Sequence, residues 1–114
     1  MINRSVVIVK AKQPFVNWLA MLPDPVAVSL EELNQEPNAY LIPEYEEEAE
    51  REGIMWNYSL EIFEQQLYEW SRDKNTWPAI MDYVAFKQWF QLEYAPFVFD
   101  IAGDLGMLCD DEEE

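Results

Sequence analysis

The apolar side chains between Trp56 and Trp70 recur with helical spacing. The residues of this pattern are Trp56, Leu60, Phe63, Leu67 and Trp70. Their steps of four, three, four and three residues place them along one face of an α-helix of about four turns. A face of this kind must be buried against a cover of similar width, and short apolar strands near both ends of the chain can supply one. The pattern therefore predicts a long helix that packs on a small sheet and ends around residues 73–75.

Three other segments have the composition of β-strands. The first, at residues 5–10, contains four consecutive β-branched residues, as is typical of a strand in the centre of a sheet. The second, at residues 39–42, is ended by Pro43 and is expected to pair with the first. The third is predicted at residues 94–101, where Pro96 favours an edge position or restricts pairing to the second half of the segment.

Shorter helices are predicted between these strands. One begins at Pro14 and ends before Pro23, and a second follows Ser29, which has the capping-box spacing to Glu32. A third follows Asp82, and one face of this helix is apolar. It comprises Tyr83, Phe86 and Phe90, with Trp89 alongside. Gly53 is expected to break or bend the chain just before the long helix.

This order of elements indicates an α+β fold, with a small mixed three-stranded sheet and helices packed mainly on one of its faces. Residues 1–108 are predicted to form a single globular domain. Residues 109–114 are predicted to form an acidic C-terminal tail that does not fold by itself.

The net charge of −16 decides which partners the chain favours. It repels nucleic-acid backbones and anionic membranes and attracts basic protein surfaces. The N-terminus lacks the apolar core of a signal peptide, and no stretch is long enough to span a membrane. With Cys109 as its single cysteine, the chain is expected to be soluble and cytoplasmic.

Several kinds of chemistry are excluded by composition. The chain has no histidine, which removes histidine-based nucleophilic triads and the commonest nitrogen ligand of transition metals. Its three glycines match no phosphate-binding loop or dinucleotide fingerprint. The glutamates of residues 44–52 could attract divalent ions, but a solvated surface is the better interpretation. The sequence therefore predicts no metal site, no cofactor and no enzymatic activity.

The candidate partner-binding residues are acidic and aromatic. Tyr58 and Tyr68 fall off the predicted buried face, and Trp77 lies in a predicted turn, so all three are candidates for exposed anchors. The acidic candidates come from the segment before the long helix. They are Glu44, Glu46, Glu47, Glu48 and Glu50.

Four segments together resemble a family of small acidic bacterial proteins of uncharacterised function. They are residues 13–19, 40–46, 61–64 and 86–90. The resemblance spans most of residues 5–100 and implies a bacterial cytoplasmic protein without an assigned activity. It transfers no functional residue.

Three functions are compatible with these observations. The leading hypothesis is a non-catalytic interaction module that binds a basic protein surface. The first alternative is a mimic of nucleic acid that inhibits a DNA- or RNA-binding protein, as an antitoxin does; it requires acids spaced like phosphates. The second is a carboxylate-based enzyme, for which Asp82, Glu93 and Asp100 are the candidate acids. The free edges of a small sheet would also allow a homodimer.

Overall fold

In the computed structural model, which describes residues 3–101, the chain forms three strands and four α-helices. The elements are β1 (Arg4–Ala11), α1 (Gln13–Ala20), α2 (Leu30–Leu33), β2 (Asn38–Pro43), α3 (Glu48–Tyr68), a 3₁₀ turn (Lys74–Thr76), α4 (Tyr83–Trp89) and β3 (Phe90–Ala95). The predicted α+β class is confirmed. The predicted acidic tail and Cys109 lie outside the described residues.

The sheet has the strand order β2-β1-β3. The β-branched strand β1 is therefore central and has β2 as a neighbour, as the sequence predicts. Both pairs are antiparallel, in contrast to the mixed sheet expected from the helical connections. The helices α3 and α4 connect β2 to β3, and these two strands run parallel to each other. They do not pair, because β1 lies between them. In the register, Val7 lies opposite Tyr40 on one side and Tyr94 on the other.

One face of the sheet carries the core. Ser5, Val7 and Val9 alternate inward along β1, and the buried apolar residues of all three strands share one cluster with α1, α3 and α4. On the opposite face, Val6 and Ile8 are half-buried and Leu41 is exposed. The helices therefore pack mainly on one face, as predicted.

The predicted apolar face of α3 is only partly correct. Phe63 and Leu67 lie in the core, but Trp56, Leu60 and Trp70 are 68%, 50% and 40% exposed. The buried side chains of α3 are Met55, Ser59, Ile62, Phe63, Gln66 and Leu67.

The difference arises because the buried arc is centred on two polar residues, Ser59 and Gln66, which a search for apolar spacing passes over. One residue turns a helix by about 100°, so Leu60 points well away from the core direction of Ser59. Trp70 lies beyond the last residue of α3.

The third strand lies earlier than predicted, at Phe90–Ala95 and not at residues 94–101. Phe90 was expected on a helix, but its φ of −136° and ψ of 145° make it the point where α4 passes into β3. From there, apolar and polar residues alternate, with Leu92 and Tyr94 packed against the core. Pro96 follows the strand, and Phe97 and Phe99 are exposed.

Two predicted features of α3 are also wrong. Gly53 lies inside the helix and does not break it, because the residues on both sides keep helical backbone conformation. The helix ends at Tyr68, earlier than the predicted residues 73–75, where a 3₁₀ turn follows instead. The Asp73 carboxylate caps that turn by accepting a hydrogen bond from the Asn75 amide over 3.0 Å.

Candidate functional site

The outer side of α3 carries a stripe of aromatic and polar residues. Tyr58, Glu61, Gln65 and Tyr68 follow one another at steps of three, four and three residues, and all four are exposed. Such spacing keeps them along one side of the helix, away from the buried arc. Tyr58 and Tyr68, predicted from the sequence as exposed, are 42% and 50% exposed.

Tyr68 and Trp77 meet in an open pocket of about 450 Å³ at the C-terminal end of α3. The other residues that line this pocket are Glu61, Glu64, Gln65, Glu69 and Lys74. Trp77 is half-buried, and its indole N–H donates a hydrogen bond to the Ser71 carbonyl oxygen over 3.0 Å. This bond fixes the ring beside the helix.

The faces of both rings already hold cations. The Lys74 ammonium lies 5.8 Å from the centre of the Trp77 ring, and the Arg72 guanidinium lies 5.2 Å from that of Tyr68. Contacts of this type are attractive because the face of an aromatic ring is electronegative. Both rings thus lie in cation–π contacts with basic side chains of the protein itself.

A groove of about 430 Å³ adjoins this pocket and runs between β2 and α3. Its residues from α3 are Tyr58, Glu61, Ile62 and Gln65, and those from the sheet are Arg4, Tyr40, Leu41, Ile42 and Pro43. Because Glu61 and Gln65 line both the groove and the pocket, the two form one continuous surface. We call Tyr58, Glu61, Glu64, Gln65, Tyr68, Glu69 and Trp77 the aromatic–acidic surface.

A partly buried hydrogen bond beside the groove connects its two walls. The Gln66 side-chain amide donates a hydrogen bond to the Tyr40 hydroxyl over 2.8 Å and thereby joins α3 to β2. Burial raises the pKa of Tyr40 above its usual value, with a smaller contribution in the same direction from the Glu69 carboxylate. Tyr40 therefore stays neutral at physiological pH.

The five predicted glutamates lie at the other end of α3. Glu44, Glu46, Glu47, Glu48 and Glu50 are all exposed. Glu48 and Tyr68 are the first and last of the 21 residues of α3, a distance of about 30 Å at 1.5 Å per residue. The structure thus brings Tyr68 and Trp77 together but places the glutamates apart from them.

Glu50 has a structural role at the start of α3. Its carboxylate accepts hydrogen bonds from the backbone amides of Glu46 and Glu47, both over 3.0 Å. These two bonds lower the pKa of Glu50. Glu48 lies 3.8 Å from the Arg51 guanidinium, and its side chain is still 71% exposed.

The chain carries far more carboxylates than cations. The chain has seven Lys and Arg residues against 23 Asp and Glu. Four of the seven lie over aromatic rings: Arg51 over Tyr94, Arg72 over Tyr68, Lys74 over Trp77 and Lys87 over Tyr83. Lys10 forms a salt bridge of 3.2 Å with Glu93. The acidic residues of α3 and the segment before it therefore set the sign of the local field.

A second polar network joins α3 to α4 and β3. The Tyr83 hydroxyl donates a hydrogen bond to the Glu52 carboxylate over 2.8 Å, and the Arg51 guanidinium lies 4.2 Å from the centre of the Tyr94 ring. Burial is the main cause that raises the pKa of Tyr83 and that of Tyr94, and the negative charge of Glu52 adds to it. The network holds the N-terminal half of α3 in place.

The three acids considered for an enzyme occupy separate positions. Asp82 caps α4 by accepting a hydrogen bond from the Ala85 amide over 2.8 Å, Glu93 pairs with Lys10, and Asp100 is exposed. Within residues 3–101, no three acidic or cysteine side chains gather in a way that could hold a metal ion. In the same range, no helix combines the length and apolar character needed to cross a membrane.

Sequence reasoning missed the acids next to the aromatic anchors, Glu61, Glu64 and Glu69. A signal for one of them was present, because Glu61 occupies the same helical stripe as Tyr58 and Tyr68. The meeting of Trp77 with Tyr68 had no such signal, since it depends on the path of the turn after α3.

In comparisons with known proteins, no family model, curated protein or solved structure matches this chain. The resemblance to small acidic bacterial proteins therefore stays a prediction.

Proposed function

We propose that this protein is a non-catalytic interaction module that binds a basic segment of a partner protein through its aromatic–acidic surface. The observation that carries the proposal is the pocket in which Tyr68 and Trp77 lie among Glu61, Glu64 and Glu69. The same pocket holds one cation, Lys74, so its acids are in excess. Aromatic anchors beside an excess of acids are suited to lysine and arginine side chains, whose stems pack on rings while their charges face carboxylates.

Two parts of the molecule contribute differently to this binding. The exposed glutamates before α3, such as Glu44 and Glu46, act at long range and raise the rate at which a basic partner arrives. The aromatic residues act at contact and provide most of the affinity, as anchors near the centre of an interface commonly do.

The test is capture of partners from a lysate of the source cells by the immobilised protein, at low and at high salt. We expect a basic protein to be retained in stoichiometric amount at low salt and to be lost as salt rises, because screening weakens the attraction. Tyr68→Ala should reduce the retained amount about tenfold.

Trp56→Ala is the matched control, because Trp56 is an exposed aromatic residue of the same helix that lies outside the aromatic–acidic surface. It should leave capture unchanged. Absence of a stoichiometric partner at both salt concentrations, or equal losses in the two variants, would contradict the proposal. Mimicry of nucleic acid and a carboxylate-based enzyme are the other two hypotheses from the sequence, and both stay predictions.

A further inference from the structure

We infer that the outer edge of β2 accepts an extended basic peptide segment of the partner as an additional β-strand, laid in the groove between β2 and α3. The inference rests on the proposed function and specifies the conformation in which the partner is bound. It follows from the position of β2, the walls of the groove and the difference in charge between the two edges of the sheet.

The position of β2 leaves one of its edges available. In the described residues, β2 is the outermost strand and pairs only with β1. The outer edge of such a strand presents backbone N–H and C=O groups that a further strand can pair with. The six residues of β2 correspond to about 20 Å of extended chain, enough for a peptide of similar length.

The groove supplies contacts for both sides of an added strand. Side chains of a strand point alternately to the two faces of a sheet. Those directed towards α3 would meet Tyr40 and Ile42 on the sheet and Tyr58 on the helix. Those directed to the opposite face would lie beside Leu41, which is 60% exposed. Apolar side chains of the added strand would therefore find apolar neighbours on both faces of the sheet.

Charge selects a basic segment at this edge. Glu61 lines the groove from α3, and the adjoining pocket adds two further acids, Glu64 and Glu69, and one cation, Lys74. Arg4 is the one cation among the groove residues, and it lies at the end of the strand opposite Pro43. A peptide with lysine or arginine side chains along most of its length is complementary to this arrangement.

The other edge of the sheet has the opposite character. The pocket beside β3 is lined by two lysines, Lys12 and Lys87, together with Glu52. A basic segment is less favoured there because it would face like charges. The two edges of one sheet therefore provide an internal comparison for the experiment.

The probe is a capped ten-residue peptide that alternates valine and lysine. We expect saturable binding to the full chain, with slower amide hydrogen exchange at residues 38–43 and no change at residues 90–95. A matched peptide with alternate backbone amides methylated keeps the charge but loses hydrogen bonds along one edge, and it should bind at least about tenfold more weakly. A peptide with glutamate in place of lysine should not bind.

The protein variants test the role of local charge. Glu61→Lys should weaken binding of the valine–lysine peptide about tenfold, because it reverses the charge on the groove wall. Asp24→Lys makes the same change of charge at an exposed residue outside the groove and should alter the affinity less than about twofold.

Equal affinity for the methylated and unmethylated peptides would overturn strand addition and leave the proposed function standing. The same holds if the valine–lysine peptide does not bind while Tyr68-dependent capture from lysate succeeds. A homodimer in sedimentation experiments without peptide, with residues 38–43 protected in a concentration-dependent way, would assign the edge to a second copy of the chain and also overturn the inference. If capture fails as well, the proposed function fails independently.

Discussion

At the scale of single residues, Phe63 is the side chain at which α3, α4 and β3 meet. It is fully buried, and the centre of its ring lies 5.9 Å from that of Phe86, 5.5 Å from that of Trp89 and 5.4 Å from that of Phe90. Aromatic groups at these separations attract each other, and this attraction adds to the stabilisation that comes from the apolar area they bury. Trp56, by contrast, is 68% exposed, and its ring packs edge-on against Tyr83.

This contrast predicts very different costs for two substitutions on one helix. Phe63→Ala should lower the free energy of unfolding by about 3 to 5 kcal/mol, because it removes a buried ring and leaves a cavity. Trp56→Ala should cost less than about 1 kcal/mol. Urea denaturation followed by circular dichroism measures both values.

Phe63→Leu provides a second measurement in case the alanine variant does not fold, and it should cost less than Phe63→Ala because it leaves a smaller cavity. Similar losses for Phe63→Leu and Trp56→Ala would mean that the core is not centred on Phe63.

At the scale of elements, α3 shows how helix and sheet position the aromatic–acidic surface. Its N-terminus is fixed by the Glu50 carboxylate, and the bond between Gln66 and Tyr40 attaches its second half to β2. Between these points lies Gly53, at which an added Cβ would meet no atom within 4 Å. The glycine is therefore not required by close packing.

Replacement of Gly53 by alanine should stabilise the protein. Alanine loses less backbone entropy than glycine when it enters a helix, so Gly53→Ala should raise the free energy of unfolding by about 0.5 to 1 kcal/mol. Ala49→Gly, also at an exposed position of α3, should lower the free energy of unfolding. Urea denaturation provides the measurement, and a loss of stability in Gly53→Ala would show that the helix needs the glycine there.

At the scale of the whole molecule, one aromatic-rich core is combined with a large excess of acidic over basic residues. Three salt bridges occur in the described residues, and they involve only Lys10 and Arg51 as cations. With a net charge of −16, like charges repel more strongly in the folded chain than in the expanded unfolded one. The folded state therefore carries an electrostatic cost that salt can relieve.

Added salt should accordingly stabilise the protein. The urea midpoint should rise as NaCl increases from about 20 mM to about 0.3 M, because screening shortens the range of the repulsion. The double variant Asp24→Lys, Glu31→Lys lowers the net negative charge at exposed positions and should show a weaker dependence on salt. A midpoint that falls with NaCl would contradict this account.

The three scales differ in how far the sequence alone could predict them. The β-branched run of β1 predicted a central strand, the capping pattern at Ser29 predicted the start of α2, and the excess of acids set the sign of the surface. These features depend on neighbouring residues or on composition, so they can be read along the chain. The α+β class follows from them.

Only the tertiary structure decided which arc of α3 is buried, where α4 becomes β3, and which residues meet at the aromatic–acidic surface. Ser59 and Gln66 are buried, and Gln66 is hydrogen-bonded to Tyr40 of β2, whereas Trp56 stays 68% exposed although its ring packs edge-on against Tyr83 of α4. Tyr68 joins Trp77, and β2 forms a groove with α3, through packing between segments far apart in the chain. Local patterns specify how a segment folds, whereas the choice of its covered side depends on partners that the segment does not encode.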